Sequence, residues 1–314
     1  MSKVGIVHDP RYLLHETGAM HPERPDRLRA IEKMLETSGV GAELKEIPAR
    51  PATEAEILAV HSREHLAEIA RSAEAPGVCL DADTFAGPHS YEAALLAAGG
   101  LLEAVDRVAD REIDSAFALL RPPGHHAERD YAMGFCLFNN IAVAAEYLIR
   151  KHHYQKVAVM DFDVHHGNAT QHMFYDRADV FYVSTHRYPF YPGTGAAEER
   201  GHSAGAGYNL NIPLAAGSGD EIYRQAFMQQ VIPALREYRP DFLLVSAGFD
   251  AHRRDPLGGM ALSDTGFRYI AEQLEAIAAE CCGGKSVYTL EGGYDLEGLS
   301  GGVREVLNVL QQRS

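Results

Sequence analysis

The feature that most constrains this chain is a repeated alternation along its length. Short runs rich in Val, Ile, Leu and Phe recur near 3–7, 115–120, 156–160, 179–184, 208–213, 241–246 and 285–290. Longer segments with a helical apolar period lie near 25–37, 53–72, 89–109, 138–152, 219–237, 263–280 and 296–311. Strand-length runs alternating with helix-length segments predict βαβ units. Runs such as "FLLV" and "VAVM" are apolar at every position, as strands buried on both faces are. The expected fold is α/β: an open, mainly parallel multi-stranded sheet with helices on both faces. No repeat, low-complexity tract or linker breaks the pattern, so residues 1–314 are read as a single domain.

The polarity collects behind the strands. "SAFALL" is followed by "RPPGHHAE", "VAVM" by "DFDVHHGN" and "FYV" by "STHRYPFYPGTG". "FLLV" is followed by "SAGFDAHRRDP", and "VYTL" by "EGGY". The carboxyl ends of parallel strands form the ligand crevice of such a sheet, so these five segments should converge.

Composition narrows the partners. Lys and Arg total 29 against 44 Asp and Glu, a formal charge of -15. Such a chain lacks the cations that replace phosphate counterions, and no nucleic-acid partner is expected. Its most apolar stretch, "AALLAAGGLLEAV" at 93–105, contains Glu103 and is too short to span a bilayer, so no membrane role is expected. The start, "MSKVGIVHD", runs straight into a strand and shows no signal-peptide pattern. Cys79, Cys136, Cys281 and Cys282 form no C-x-x-C pair and read as reduced thiols of a cytoplasmic protein. A homo-oligomer is compatible with the sequence, which leaves the oligomeric state open.

Residues two apart in an extended strand end point the same way, so Asp163 and His165 are expected to share one cavity. Asp250, from another strand end, would complete three ligands. Mixed carboxylate and imidazole ligands suit zinc, with iron(II), cobalt or manganese as substitutes, and three protein ligands leave room for water and substrate. Taken alone, a D-x-H is more simply a strand-end cap beside a buried histidine. His125 and His126 follow a turn fixed by Pro122, Pro123 and Gly124, and histidine suits proton transfer near neutral pH. Asp161 would orient one histidine and Asn168 the other. His152 and His153, in "RKHHYQK", read as solvated surface residues. Tyr294 follows two glycines, so its phenol can reach toward a substrate oxygen; alone it would read as an ordinary tyrosine at a strand end.

Seven stretches in order then carry a resemblance: "HPERPDRL", "RPPGHHA", "GFCLFNN", "DFDVHHGN", "STHRYPFYPGTG", "SAGFDAHRRDPLGGM" and "LEGGY". From about residue 4 to about residue 300 the chain resembles the zinc-dependent histone deacetylase superfamily. It looks most like the class II branch and its bacterial relatives, which include acetylpolyamine amidohydrolases and acetoin-utilisation proteins. The resemblance implies one catalytic zinc ion on Asp163, His165 and Asp250. It implies His126 as general base, His125 paired with Asp161 as its neighbour, and Tyr294 as donor to the substrate carbonyl. Gly134, Phe135 and Tyr191 would line a narrow channel around the lysine methylenes. A structural potassium ion would lie near Asp161, Asp163, His165 and Ser184, and Arg27 beside an internal acetate exit. Asn168 stands where class I members have aspartate, and a neutral amide should leave His126 less basic than a carboxylate would.

The expected reaction is hydrolysis of an acetyl or other acyl amide. Acyl-lysine in proteins or peptides and acetylated polyamines are both candidate substrates. Polyamine-selective relatives carry an acidic gatekeeper where this chain has Leu257, which favours acyl-lysine. An arginase-type ureohydrolase would need a D-x-D near the second aspartate segment, and "GFDAHRRD" has none. A catalytically inert binder of acylated ligands would have lost a ligand, the histidine pair or the tyrosine, and all are present.

Overall fold

The polar strand ends and the apolar strands that carry them are assembled as one sheet. The structure, a computed structural model, describes residues 2–18, 20–75 and 77–312. Its main sheet comprises β1 (Val4–Val7), β2 (Lys45–Glu46), β5 (Ser115–Ala118), β6 (Val157–Asp161), β7 (Val180–Arg187), β8 (Asn209–Leu214), β9 (Phe242–Ala247) and β10 (Ser286–Leu290). The spatial order is β2-β1-β5-β10-β9-β6-β7-β8, and every neighbouring pair is parallel. All eight carboxyl ends therefore lie along one edge. The five strands whose ends carry the polar segments, β5, β10, β9, β6 and β7, are adjacent to one another.

Helices pack in two groups. One holds α2 (Glu54–Ile57), α3 (Arg63–Ser72), α4 (Ser90–Ala109), α5 (Asn140–Arg150) and α6 (Asn168–Phe174). The other holds α1 (Asp26–Ser38), α7 (Asp220–Ala226), α8 (Ile232–Tyr238), α9 (Asp264–Cys281) and α10 (Leu296–Gln312). Every residue of β5, β6, β9 and β10 is buried, because helices cover both faces of the sheet. The buried apolar residues form one continuous core. No helix of the described residues is long and apolar enough to cross a membrane.

Two expected helices are interrupted, each for a local reason. The segment 53–72 divides because Ser62 starts a new helix, its side chain accepting the His65 N–H. The break buries His61, whose Nδ1 reaches Glu128 O at 2.9 Å. The segment 219–237 widens into a π-helical turn over Phe227–Val231, just before Pro233, which has no N–H for the helical ladder. β2 is two exposed residues, too short for an apolar run to announce it. An antiparallel hairpin, β3 (Val78–Asp81) and β4 (Thr84–Ala86), was also not expected, and it delivers Asp83 to the rim described next.

Candidate metal and catalytic centre

Asp163 and His165 follow β6, and Asp250 follows β9, the neighbouring strand. One ligand atom from each lies within 4.8 Å of the others, and all three residues are buried. His165 Nδ1 stands 3.2 Å from Asp163 Oδ1 and 3.0 Å from Asp250 Oδ2. Ligands about 2.0–2.2 Å from a single divalent ion are spaced about this far from each other. The backbone makes room for the set, since a Cβ at Gly248 would collide with Asp163 and one at Gly292 with both aspartates. Two buried carboxylates facing one imidazole form an anionic hollow that a cation compensates. The donors thus fit a zinc-like divalent ion. Burial would depress the pKa of His165, but the two carboxylates outweigh it and push it up to about 10.

The tandem histidines sit beside this hollow with their rings 4.0 Å apart. His125 Nδ1 lies 3.0 Å from Asp161 Oδ2, which also accepts the Tyr182 hydroxyl at 3.0 Å. His126 Nδ1 lies 2.7 Å from Asn168 Oδ1. The two rings differ electrically. Burial works against charge on His125, yet Asp161, Asp163 and Glu291 raise its pKa to about 10. His126 is held well below the ordinary histidine value by burial and by the neighbouring His125 and His165. Their surroundings thus push the two imidazoles in opposite directions.

Glu291 secures the turn that carries them. Its Oε2 accepts the Gly124 N–H at 2.7 Å and the His125 N–H at 3.2 Å, and its Oε1 accepts the Ser246 hydroxyl at 2.9 Å. Burial, more than any neighbour, raises its pKa to about 7.

A cavity of about 250 Å³ opens onto the centre, lined by His126, His165 and Tyr294 within, and by Gly134, Phe135, Phe190, Tyr191, Leu257 and Asp83. The structure thus gathers every channel residue expected from the sequence. Phe135 meets the Tyr294 ring edge-on at 5.8 Å, and Tyr191 meets His126 edge-on at 5.3 Å. Gly134 has φ +57°, and a Cβ there would lie 2.5 Å from His126 Cδ2. Tyr294 is set by Asp255, whose Oδ2 accepts its N–H at 2.7 Å.

Three residues at the site escaped the sequence reading. Phe190 stacks on His165 at 5.3 Å and 14°, although only its neighbour Tyr191 was expected to form wall. Asp83 comes from the turn of a hairpin whose strands are only four and three residues long. Asp255 lies in the polar segment after β9, where nothing in the sequence distinguishes it from its neighbours. Arg27 is fully buried beneath Tyr294, 5.1 Å from the ring centroid. It donates to Gly293 O at 2.6 Å, to Glu23 Oε1 at 3.1 Å and to Glu291 O. Ser184 is the β7 partner of Asp161, and its hydroxyl meets His186 Nδ1 at 2.8 Å. Asp161 and Ser184, expected at the potassium site, are therefore side by side.

With this geometry in place, similarity to known proteins becomes informative. The histone deacetylase domain family matches residues 21–310. Histone deacetylase 15 of Arabidopsis thaliana is 42% identical over 318 residues, covering 98% of this chain and 57% of that protein. A histone deacetylase-like amidohydrolase of Pseudomonas aeruginosa is 43% identical over 277 residues, covering 88% of this chain and 73% of that protein. The crystal structure of the HDA15 HD domain superposes with a TM-score of 0.95 at 41% identity, covering 100% of this chain and 91% of that one. The parallel sheet, the shared strand-end centre and these likenesses agree, and the chain belongs to the histone deacetylase family.

Proposed function

We propose that the protein is a zinc-dependent deacylase that hydrolyses acyl amides of lysine side chains in proteins or peptides. The carrying observation is the meeting of Asp163, His165 and Asp250 donors within 4.8 Å, in a cavity also lined by His126 and Tyr294. A divalent ion bound there would supply Lewis acidity, polarising the acyl carbonyl and making water more acidic.

The chain's own residues supply the rest. His126, kept neutral, takes a proton from the attacking water at Nε2. The Tyr294 hydroxyl donates to the carbonyl oxygen as that oxygen gains charge. The amide C–N bond breaks, and the proton passes to the leaving nitrogen, giving a carboxylate and a free amine. His125, held cationic by Asp161, favours the negative charge that develops beside it. Phe135, Phe190 and Tyr191 exclude water and suit a chain of methylenes. A potassium ion near Asp161 and Ser184 would serve structure, and free thiols suit a reducing cytoplasm.

One observation favours a second reading. Asp83 adds a half-buried carboxylate to a cavity that Leu257 alone would leave apolar. It could accept an N–H of a peptide backbone, or pair with the distant ammonium of an acetylated polyamine. Acyl-lysine remains the preferred substrate, because Leu257 gives a second ammonium no partner. The test is kcat/KM on matched acyl-lysine peptides and acetylpolyamines, for the native protein and for Leu257→Glu. The native protein should prefer peptides, and the variant should shift toward polyamines by about fivefold, less at high salt. A native protein that cleaves only acetylpolyamines would select the second reading.

A further inference from the structure

The side-chain amide of Asn168 fits its surroundings in one orientation only. Glu128 Oε1 lies 2.5 Å from Asn168 Nδ2, and Met133 Sδ lies 3.5 Å from the same nitrogen. On the other side, Asn168 Oδ1 lies 2.7 Å from His126 Nδ1. A carboxylate has no proton to offer, so the NH2 group must face Glu128 and the carbonyl must face His126. A carbonyl only accepts, so His126 must carry its ring proton on Nδ1. The lone pair is then on Nε2, where a general base needs it.

Glu128 is itself fixed from several directions. Its Oε1 also receives His172 Nδ1 at 2.8 Å. Its N–H donates to Tyr131 O at 2.9 Å, and its C=O accepts from His61 Nδ1 at 2.9 Å. Glu128 and His172 form part of the wall of a surface cavity of about 490 Å³. A continuous line of hydrogen bonds therefore runs from surface His172 through Glu128 and Asn168 to His126.

We propose that Glu128 is a positioning residue for the hydrolysis: it orients the Asn168 amide, which selects the tautomer of His126. The proposal rests on the reading of His126 as base. It also gives Asn168 a meaning beyond a weakened aspartate. The negative charge is present, one hydrogen bond further from the imidazole.

The pairing predicts a reversal of sign. In the native chain, Glu128→Gln frees the amide to turn, and kcat should fall by about 10- to 100-fold, the scale for an outer partner of a site histidine. KM and bound metal should hold. Asn168→Asp sets two carboxylates against each other; adding Glu128→Gln then restores a donor and should raise kcat above the Asn168→Asp level by about tenfold. A structural role would give loss in both backgrounds, and that result, or an unchanged kcat in Glu128→Gln, overturns the proposal. The double variant decides even where Glu128→Gln alone does not fold. A second readout needs no substrate: ¹⁵N spectra of histidine-labelled protein should show His126 protonated at Nδ1. If no acyl amide is cleaved, the function fails and the tautomer still decides the positioning role; an Nε2–H tautomer overturns it.

Discussion

The carboxylate of Asp255 accepts the backbone N–H of Tyr294 at 2.7 Å, and its other oxygen accepts the Leu257 N–H at 2.9 Å. Gly258 and Asp295 N–H groups complete the set at 3.1 and 3.3 Å. One side chain thus ties the tyrosine turn to the Leu257 wall of the channel. Asp255→Ala leaves these donors without a partner, at about 1–3 kcal/mol for each buried one. It should lower both the unfolding free energy and kcat while leaving metal content intact. Denaturant unfolding and metal analysis of the purified variant check this; unchanged kcat contradicts it.

Gly134 is needed twice over, for its left-handed backbone and for the His126 ring pressed against it. Gly134→Ala should cost about 1–2 kcal/mol from the backbone alone. The added methyl must also displace His126, so kcat should fall more than stability does. A variant with native kcat would show that the ring has room to move.

Tyr294 lies outside the proposed ligand set of Asp163, His165 and Asp250. Tyr294→Phe should keep the metal and KM, and lower kcat by about 10²–10³, as loss of one oxyanion donor does. Steady-state kinetics separate the two. A change confined to KM would make the phenol a binding group.

Much of this site was legible in the sequence, and the omissions have causes. The strands announced themselves because both faces are buried, and the polar residues behind them stood out against that background. Asp163 and His165 could be paired because residues two apart at a strand end point the same way, and Asp250 because it follows another strand of the same sheet. Phe190 could not, since the chain around Pro189 and Pro192 follows no such period. Asp83 depends on a tight reversal between two strands of four and three residues, too short for a periodic pattern to mark them. The partnership of Glu128 with Asn168 joins residues 40 apart in sequence, across one helix and one strand, and no local pattern encodes it. The broken helix at 58–62 hides a tertiary demand, the burial of His61 against Glu128.

His61 also predicts a pH effect. It donates Nδ1–H to Glu128 O and accepts the Asn139 N–H at Nε2, 2.8 Å away, so it is neutral. Burial, with His65 beside it, lowers its pKa from 6.5 to about 3. The unfolded chain therefore binds more protons between these values. The stability His61 confers is full above pH 6.5 and is lost as pH falls toward 3. The difference in unfolding free energy between the native protein and His61→Gln should narrow by about 2 kcal/mol from pH 7 to pH 5. Urea titrations at both pH values measure it; a constant or widening gap contradicts the assignment.

The ligand set itself is tested most directly by measuring bound metal and turnover together in the native protein and in Asp250→Ala. Removing one of three donors leaves two, which hold an ion poorly. The expected result is one divalent ion per native chain, with both ion and acyl-lysine hydrolysis lost in the folded variant. Full metal occupancy and native turnover in Asp250→Ala would contradict it.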